Sequence, residues 1–168
     1  ESLAENIALY IFCGAATVIA YGSKRGTLDI DAYVEDRAIK DKLLEWAGQG
    51  SELEKKHGLY FHSANIELML MEAPDWKERS VEILNGKLKH IQVMALGKED
   101  LILSKLSRYN DRDREDIQFI AEKYNINPDK LITYYKSARL YFVGNLGTLD
   151  TTFNIVLREH FGLEPRSF

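Results

Sequence analysis

The first half of the chain mixes short apolar runs with segments of helical periodicity. Residues 9–14 (LYIFCG) predict the end of a strand, and residues 15–22 (AATVIAYG) predict a short helix that ends at Gly22. Apolar and polar positions alternate with a period of two over residues 28–34 (LDIDAYV), which is typical of a strand. Over residues 36–50 the apolar positions recur at helical spacing, and the segment stops at a glycine.

Two more strands are predicted before the chain changes character near residue 97. Residues 58–72 (GLYFHSANIELMLME) and residues 87–96 (KLKHIQVMAL) are expected to be extended. The Asn85-Gly86 pair between them is a candidate hairpin turn. The first half therefore predicts an α/β (α+β) fold.

The second half of the chain predicts only helices. They are expected over residues 98–109, 113–124, 127–143 and 148–161. Asn110-Asp111 and Asn127-Pro128 separate them, with an Asn or Asp as N-cap and Pro128 in a first turn. We therefore expect an α/β core over residues 1–97 and a helical lobe over residues 98–168 that packs on the core and leaves a cleft.

Composition and charge narrow the class of protein. The chain is 45% hydrophobic and 29% charged, as expected for a globular protein, and its net charge of −4 gives no general attraction to nucleic acid or to an anionic membrane. A single cysteine, Cys13, excludes an intramolecular disulfide and a multi-cysteine metal site, which fits a cytoplasmic setting. Residues 6–23 carry no charge, but polar residues interrupt them and an acidic flank precedes them, so we expect buried core rather than a signal peptide or membrane span.

Two aspartates in the third predicted element are the first candidates for chemistry. Asp29 and Asp31 are two residues apart in a strand and therefore project from the same face, whereas Leu28, Ile30 and Ala32 are expected to face the core. Two carboxylates this close repel each other, and a cation between them relieves the repulsion. Magnesium fits best, because it takes oxygen ligands and is commonly held by one or two carboxylates together with substrate phosphates. An edge strand with a solvated polar face is the alternative.

A glycine and an arginine near this strand are candidates for binding phosphate. Gly14 lets the backbone approach a phosphate closely at the start of a helix, where N–H groups are free to donate. Tight packing of helix on strand explains the same glycine equally well. Gly22-Ser23 is a competing candidate for the phosphate-binding glycine, but it leaves little room for a helix before Asp29. Arg25 either contacts a phosphate or fixes the loop.

Residues 13–31 (CGAATVIAYGSKRGTLDID) resemble the signature of the nucleotidyltransferase superfamily typified by DNA polymerase beta. They look closest to small bacterial proteins related to the toxins of type IV toxin–antitoxin and abortive-infection systems. Those relatives carry a Gly-Gly or Gly-Ser pair that opens a helix, followed by an Arg-x-Thr/Ser-x-Asp-x-Asp segment. The pair here is Gly14-Ala15, which departs from the pattern at Ala15, and the second segment is Arg25 to Asp31.

The resemblance implies a third acidic residue on a neighbouring strand, often the general base. Residues 65–72 offer Glu67 and Glu72. Glu67 is preferred, because it lies between apolar residues of a predicted strand, where burial of an unpaired charge is costly unless the charge has a function. A glutamate on an exposed sheet face is the alternative, and aspartate is the commoner residue at this place in the superfamily.

Residues 99–120 carry a second segment that is similar to these relatives. A Lys and an Arg on one helix are followed there by a basic-Asp-x-x-Asp cluster that opens the next helix. The resemblance places Lys105 and Arg108 at the triphosphate, with Asp113 beside them, since residues three apart share a helix face. Asp113 and Asp116 equally fit a helix start, where acidic residues cap the helix and pair with a neighbouring arginine.

The resemblance implies a nucleotidyltransferase-like mixed sheet flanked by helices. It also implies a magnesium-dependent nucleotidyltransferase, with two metal ions expected. It would move a nucleotidyl group from an NTP to a hydroxyl group of an acceptor such as RNA, for example the end of a transfer RNA. By the same resemblance the protein would be a toxin with an antitoxin partner. From its charge and composition we expect no membrane association. The alternative is a catalytically inactive relative that senses nucleotides or binds a protein.

Overall fold

In the computed structural model, residues 7–64 and 75–168 are described. They form five strands and seven helices. The described chain divides into two compact units: residues 7–64 with 79–96, and residues 75–78 with 97–168.

The first unit contains the sheet. Its strands are β1 (Ile7–Ile11), β2 (Asp29–Tyr33), β3 (Tyr60–Ser63), β4 (Val81–Ile83) and β5 (Ile91–Ala95). The strand order is β3-β2-β1-β5-β4. Strand β1 pairs parallel to β5 and antiparallel to β2, while β2 pairs parallel to β3 and β4 pairs antiparallel to β5. The sheet is mixed, as the sequence predicted.

Three helices belong to the first unit: α1 (Cys13–Ile19), α2 (Arg37–Ala47) and α3 (Glu52–His57). The sequence predicted α1 and α2, although α1 begins before residue 15. It did not predict α3, where the Ser51 side chain accepts a hydrogen bond from the Glu54 backbone N–H. A Ser followed by a Glu three residues later is a known sign of a helix start.

The core of this unit centres on the end of β1, the middle strand of the sheet, and on its neighbours α1 and β2. Ile11, Phe12, Ala16 and Ala32 are fully or almost fully buried. The expectation that Leu28 would face the core is wrong, because Leu28 precedes β2 and is 73% exposed. The alternation of the strand therefore starts at Asp29.

The second unit consists of helices α4 (Lys98–Leu103), α5 (Asp111–Lys123), α6 (Pro128–Arg139) and α7 (Leu146–Phe161). The predicted caps are confirmed: the side chains of Asn110 and Asn127 accept hydrogen bonds from backbone N–H groups in the first turns of α5 and α6. Asn145 caps α7 in the same way. Tyr135 and Phe153 stack in the core with ring centroids 3.8 Å apart.

The predicted helix over residues 98–109 is shorter than expected. Helix α4 ends at Leu103, and the backbone then continues in tight turns, with bonds from Lys105 N to Ile102 O and from Leu106 N to Leu103 O. Tyr109 takes a left-handed conformation, with φ of 45°, directly before α5. Lys105 and Arg108 therefore lie in a connection between two helices and not on one helix face.

The α/β (α+β) class is confirmed by the mixed sheet and its accompanying helices. The predicted boundary at residue 97 and the packing of the helical lobe on the core stay predictions. Within residues 7–64 and 75–168, none of the helices has the length and apolar character that crossing a bilayer requires.

Candidate active site

Strand β2 presents two carboxylates on one face of the sheet. Asp29 and Asp31 are both half-buried members of this strand and are separated by one residue, so their side chains project to the same side. Between and after them, Ile30 is half-buried and Ala32 is fully buried. The predicted juxtaposition of the two aspartates is thus present in the first unit.

The turn between β1 and α1 lies beside these carboxylates. The Phe12 backbone N–H donates a hydrogen bond of 2.9 Å to the Asp31 carbonyl oxygen, which fixes the end of β1 against β2. Cys13 follows in a left-handed conformation, with φ of 48°. A side chain with a Cβ atom adopts this region at some cost, and such residues are enriched where a site needs a sharp turn. Gly14 then lies in the first turn of α1.

The absence of a side chain at Gly14 leaves room for the close approach of two other side chains. A Cβ atom at position 14 would lie 2.8 Å from Nη2 of Arg25 and 3.3 Å from Oγ1 of Thr27. The first distance is shorter than any ordinary contact of a Cβ atom, so Arg25 would have to move. The guanidinium of Arg25 therefore lies over the start of α1, with the Thr27 hydroxyl beside it.

Thr27 connects this turn to the first carboxylate. Its hydroxyl lies 3.1 Å from Oδ1 of Asp29 and 3.0 Å from the Asp29 carbonyl oxygen, and it can donate to one of them at a time. Thr27 is half-buried, so the contact is partly shielded from water. The hydroxyl restrains the orientation of the Asp29 carboxylate.

His62 contacts the second carboxylate. Strands β2 and β3 run parallel, with Asp31 opposite His62 in their register. Nδ1 of His62 lies 2.7 Å from Oδ1 of Asp31. The His62 side chain is 60% exposed and the Asp31 side chain is 21% exposed, so the pair lies at the surface of the first unit with the carboxylate on the inner side.

Each of the two carboxylates has one oxygen without a partner among the described residues. Within the part of the chain that the structure describes, Oδ2 of Asp29 and Oδ2 of Asp31 accept no hydrogen bond and form no ion pair. The described residues contain no group of three or more His, Cys, Asp and Glu side chains arranged to hold a metal ion. The donor set is therefore two carboxylates, which is what magnesium uses when substrate phosphates and water complete its coordination.

Comparison with known proteins identifies the family. A family model described as "Nucleotidyltransferase of unknown function (DUF6036)" matches residues 2–152. The chain belongs to this family. No curated protein and no solved structure matches the chain significantly. The nucleotidyltransferase part of the resemblance is thereby confirmed, and the relation to toxins stays a prediction.

The predicted site residues of this family member lie in the first unit, in the second unit and outside the described residues. The first unit brings Gly14, Arg25, Asp29 and Asp31 together in the arrangement just described. Ala15, the second residue of the predicted phosphate-binding pair, lies in α1 with its side chain buried, so its methyl group is part of the core. The predicted third carboxylate, Glu67, lies outside the described residues.

The remaining predicted residues form an ion-pair network in the second unit. Nζ of Lys105 lies 2.6 Å from Oδ2 of Asp116 and 3.7 Å from Oδ1 of Asp113. Arg108 donates two hydrogen bonds of 2.8 Å to the Asp113 carboxylate, which also accepts from the Asn110 backbone N–H in a capping box. Burial alone would raise the pKa of Asp113, but the hydrogen bonds from Arg108 and the charge of Lys105 outweigh it, and the pKa lies below its usual range.

This network favours a structural role for the cluster. The side chains of Lys105, Asp113 and Asp116 are at most 3% exposed, and the lysine ammonium has two carboxylates within 4 Å. The alternative that the sequence left open, pairing of Asp113 with an arginine at a helix start, is the arrangement observed. A part for Lys105, Arg108 and Asp113 in phosphate binding stays a prediction.

Two residues that contact the aspartates were not among the predicted site residues. Thr27 lies in the Arg-x-Thr-x-Asp-x-Asp segment, so its position two residues before Asp29 was a usable signal. His62 carried no such signal. The histidines of the chain show no ligand spacing, and only the register of two strands distant in sequence brings His62 to Asp31.

Proposed function

We propose that the protein is a magnesium-dependent nucleotidyltransferase, which moves a nucleotidyl group from an NTP to a hydroxyl group of an RNA acceptor. One observation supports this most directly. A chain of the nucleotidyltransferase family holds Asp29 and Asp31 on one face of β2, next to the turn where Arg25 lies over Gly14. The two oxygens left without a protein partner in the described ranges suit an ion shared with a polyphosphate.

In the proposed reaction, the acceptor hydroxyl oxygen forms a bond to the α-phosphorus of the NTP. The bond from that phosphorus to the oxygen bridging to the β-phosphorus breaks, and pyrophosphate leaves with the electron pair. The hydroxyl proton passes to a base, a role proposed for Glu67. Magnesium, when bound, supplies positive charge that offsets the charge on the phosphates.

The residues of the first unit would bind and orient the reactants. Asp29 and Asp31 would hold the metal ion, while Thr27 and His62 contact their Oδ1 atoms. Arg25 offers several N–H donors in a planar fork that matches phosphate oxygens. Gly14 leaves the space that this guanidinium occupies. Catalysis in such a site comes mainly from positioning and charge neutralisation.

The proposal is tested by label transfer. The purified protein is incubated with magnesium, each of the four α-labelled NTPs in turn, and total RNA. Parallel reactions contain Asp29→Asn, Asp31→Asn, and the matched control Asp41→Asn, which removes an exposed carboxylate from α2. Transfer by the wild-type protein and by Asp41→Asn is expected, with a loss of at least about 100-fold in the other two variants, since several kcal/mol of charge stabilisation is removed.

Two outcomes would contradict the proposal. Transfer that persists unchanged in both β2 variants would mean that another protein or another site performs it. No transfer with any NTP, together with no magnesium-dependent NTP binding, would favour a catalytically inactive module of the same fold. The toxin role and an antitoxin partner rest on the resemblance alone and stay predictions.

A further inference from the structure

The geometry of the contact between His62 and Asp31 shows which atom donates the hydrogen bond and which atom accepts it. The two residues lie opposite each other on parallel neighbouring strands, and Nδ1 of His62 is 2.7 Å from Oδ1 of Asp31. An ionised carboxylate has no hydrogen to donate, so Nδ1 must carry the proton in this bond. The imidazole therefore acts as a donor that holds one carboxylate oxygen in place.

The same contact leaves the other atoms of the pair available. Over residues 7–64 and 75–168, Oδ2 of Asp31 has no hydrogen-bond partner, and neither does Nε2 of His62. Because the ring holds Oδ1, the carboxylate cannot rotate freely and Oδ2 keeps a defined direction. A ligand that needs this oxygen then meets it already oriented.

Asp29 has a comparable contact with a different donor, which it shares with its own carbonyl oxygen. The Thr27 hydroxyl lies 3.1 Å from its Oδ1, and its Oδ2 likewise has no partner among the described residues. Both aspartates of β2 thus have one oxygen restrained by a neighbouring side chain and one oxygen available. Side chains that restrain metal-binding carboxylates or histidines in this manner typically change metal affinity by about 10–100-fold when they are removed.

We propose that His62 is a positioning residue of the metal site: it donates a hydrogen bond from Nδ1 to Oδ1 of Asp31 and thereby directs Oδ2 toward the divalent ion. The proposal rests on the proposed function, because that function makes Asp31 a metal ligand. It adds a role for the strand β3, which contributes no other side chain to the described part of the site. The His62 side chain is 60% exposed and adds little to folding stability, so we expect its replacement to leave the protein folded.

The test measures binding of Mn²⁺, which takes the place of magnesium and is visible by electron paramagnetic resonance. Free Mn²⁺ is titrated in the presence of the full chain for wild type, Asp31→Asn, His62→Ala, His62→Asn and His62→Gln. His57→Ala serves as the matched control, since His57 is an exposed histidine at the end of α3. We expect His62→Ala to weaken Mn²⁺ binding about tenfold and His57→Ala to leave it unchanged.

The two amide variants separate positioning from a general effect of the ring. The side-chain N–H of asparagine can reach the place of Nδ1, so His62→Asn should recover most of the affinity. The amide of glutamine extends toward the place of Nε2, so His62→Gln should not. Mn²⁺ affinity that stays at the wild-type value in His62→Ala overturns the proposal. Unchanged affinity with lost nucleotidyl transfer also overturns it, because His62 would then act on the reacting atoms.

Failure of the proposed function gives a different result. In that case the wild-type protein shows no Mn²⁺ binding that Asp31→Asn removes, and both proposals fall together. If Asp31→Asn abolishes binding while His62→Ala does not change it, the metal site stands and only the role of His62 is rejected.

Discussion

The ammonium of Lys105 lies 2.6 Å from a carboxylate oxygen of Asp116, and both side chains are almost completely buried. Withdrawing two opposite charges from water is costly, and their mutual attraction offsets that cost only while both partners are present. Loss of either member alone is therefore expected to destabilise the connection between α4 and α5, because the other charge stays buried without its partner. The sequence had suggested that this lysine meets a triphosphate, whereas its contacts favour a role in stability.

Replacing Lys105 by methionine should lower the free energy of unfolding by about 3–5 kcal/mol, because the buried Asp116 loses its ammonium partner. The double variant Lys105→Met/Asp116→Leu should recover much of this loss. Urea denaturation of the three proteins measures the effect. As a control, Lys55→Met removes the ammonium of an exposed pair with Glu52 and should cost less than about 1 kcal/mol. Full stability of Lys105→Met combined with weakened NTP binding would instead support the phosphate role.

Asp113→Asn should make the free energy of unfolding less dependent on pH in the acid range. The pKa of Asp113 is lowered in the folded protein, so its contribution is complete above the unfolded value of about 3.9 and is lost as the pH falls through the folded value. At neutral pH the variant should be less stable by roughly 1.5–3 kcal/mol, because the bonds from Arg108 to a charged acceptor are weakened.

Urea denaturation of wild type and Asp113→Asn from neutral pH to acid checks this sign. The difference between the two proteins should stay constant until the pH nears about 4 and should shrink below it. Asp111→Asn, which changes an exposed carboxylate in the first turn of α5, is the control and should cost less than about 1 kcal/mol. A difference that grows in acid would contradict the assignment.

Gly14→Ala should impair nucleotide binding far more than folding. The added methyl group would lie 2.8 Å from Nη2 of Arg25, so the guanidinium must move, while the backbone itself tolerates alanine. We expect thermal unfolding to report a stability change within about 1 kcal/mol, as for a Gly→Ala change in a helix. The KM for NTP should rise severalfold. Gly26→Ala, whose Cβ would meet nothing within 4 Å, is the matched control and should leave KM unchanged. Equal KM values in the two variants would separate Gly14 from nucleotide binding.

Thr27→Val should lower metal affinity without unfolding the first unit. Valine has nearly the same shape but cannot donate to Oδ1 of Asp29, whereas Thr27→Ser keeps the hydroxyl. We expect Mn²⁺ binding about tenfold weaker for the valine variant and close to wild type for the serine variant. Thr133→Val, at an exposed hydroxyl in α6, controls for the substitution itself. If serine and valine behave alike at position 27, the hydroxyl does not orient Asp29.

Local patterns in the sequence were sufficient for most of the elements. The period of two over residues 28–34 predicted β2 and both aspartates on one face. Asn110 and Asn127 marked the starts of α5 and α6, because their side chains satisfy N–H groups that a helix start leaves unbonded. Such signals depend on residues a few positions apart and need no knowledge of the fold.

The errors arose where distant parts of the chain decide the local structure. Apolar positions continue past Leu103, so periodicity predicted a longer α4 than the structure has. The contacts of Lys105 with two carboxylates of α5 involve residues farther along the chain and leave no trace in that periodicity. The contact between Asp31 and His62 depends on strand register across two intervening helices. Neither a cross-strand register nor a buried ion pair can be read from spacing along the chain, and both bear on the candidate site residues.

The parallel pairing of β2 with β3 also sets where the chain tolerates extra length. Residues added between α2 and α3 would enlarge the crossover and leave every side chain of the two strands on its present face. A single residue inserted between Tyr60 and Phe61 would bring Phe61 opposite Asp31 and turn the imidazole to the other side of the sheet. Insertions between α2 and α3 are therefore expected to leave the contact between His62 and Asp31 intact. Insertions inside β3, which has only four residues, are expected to break it.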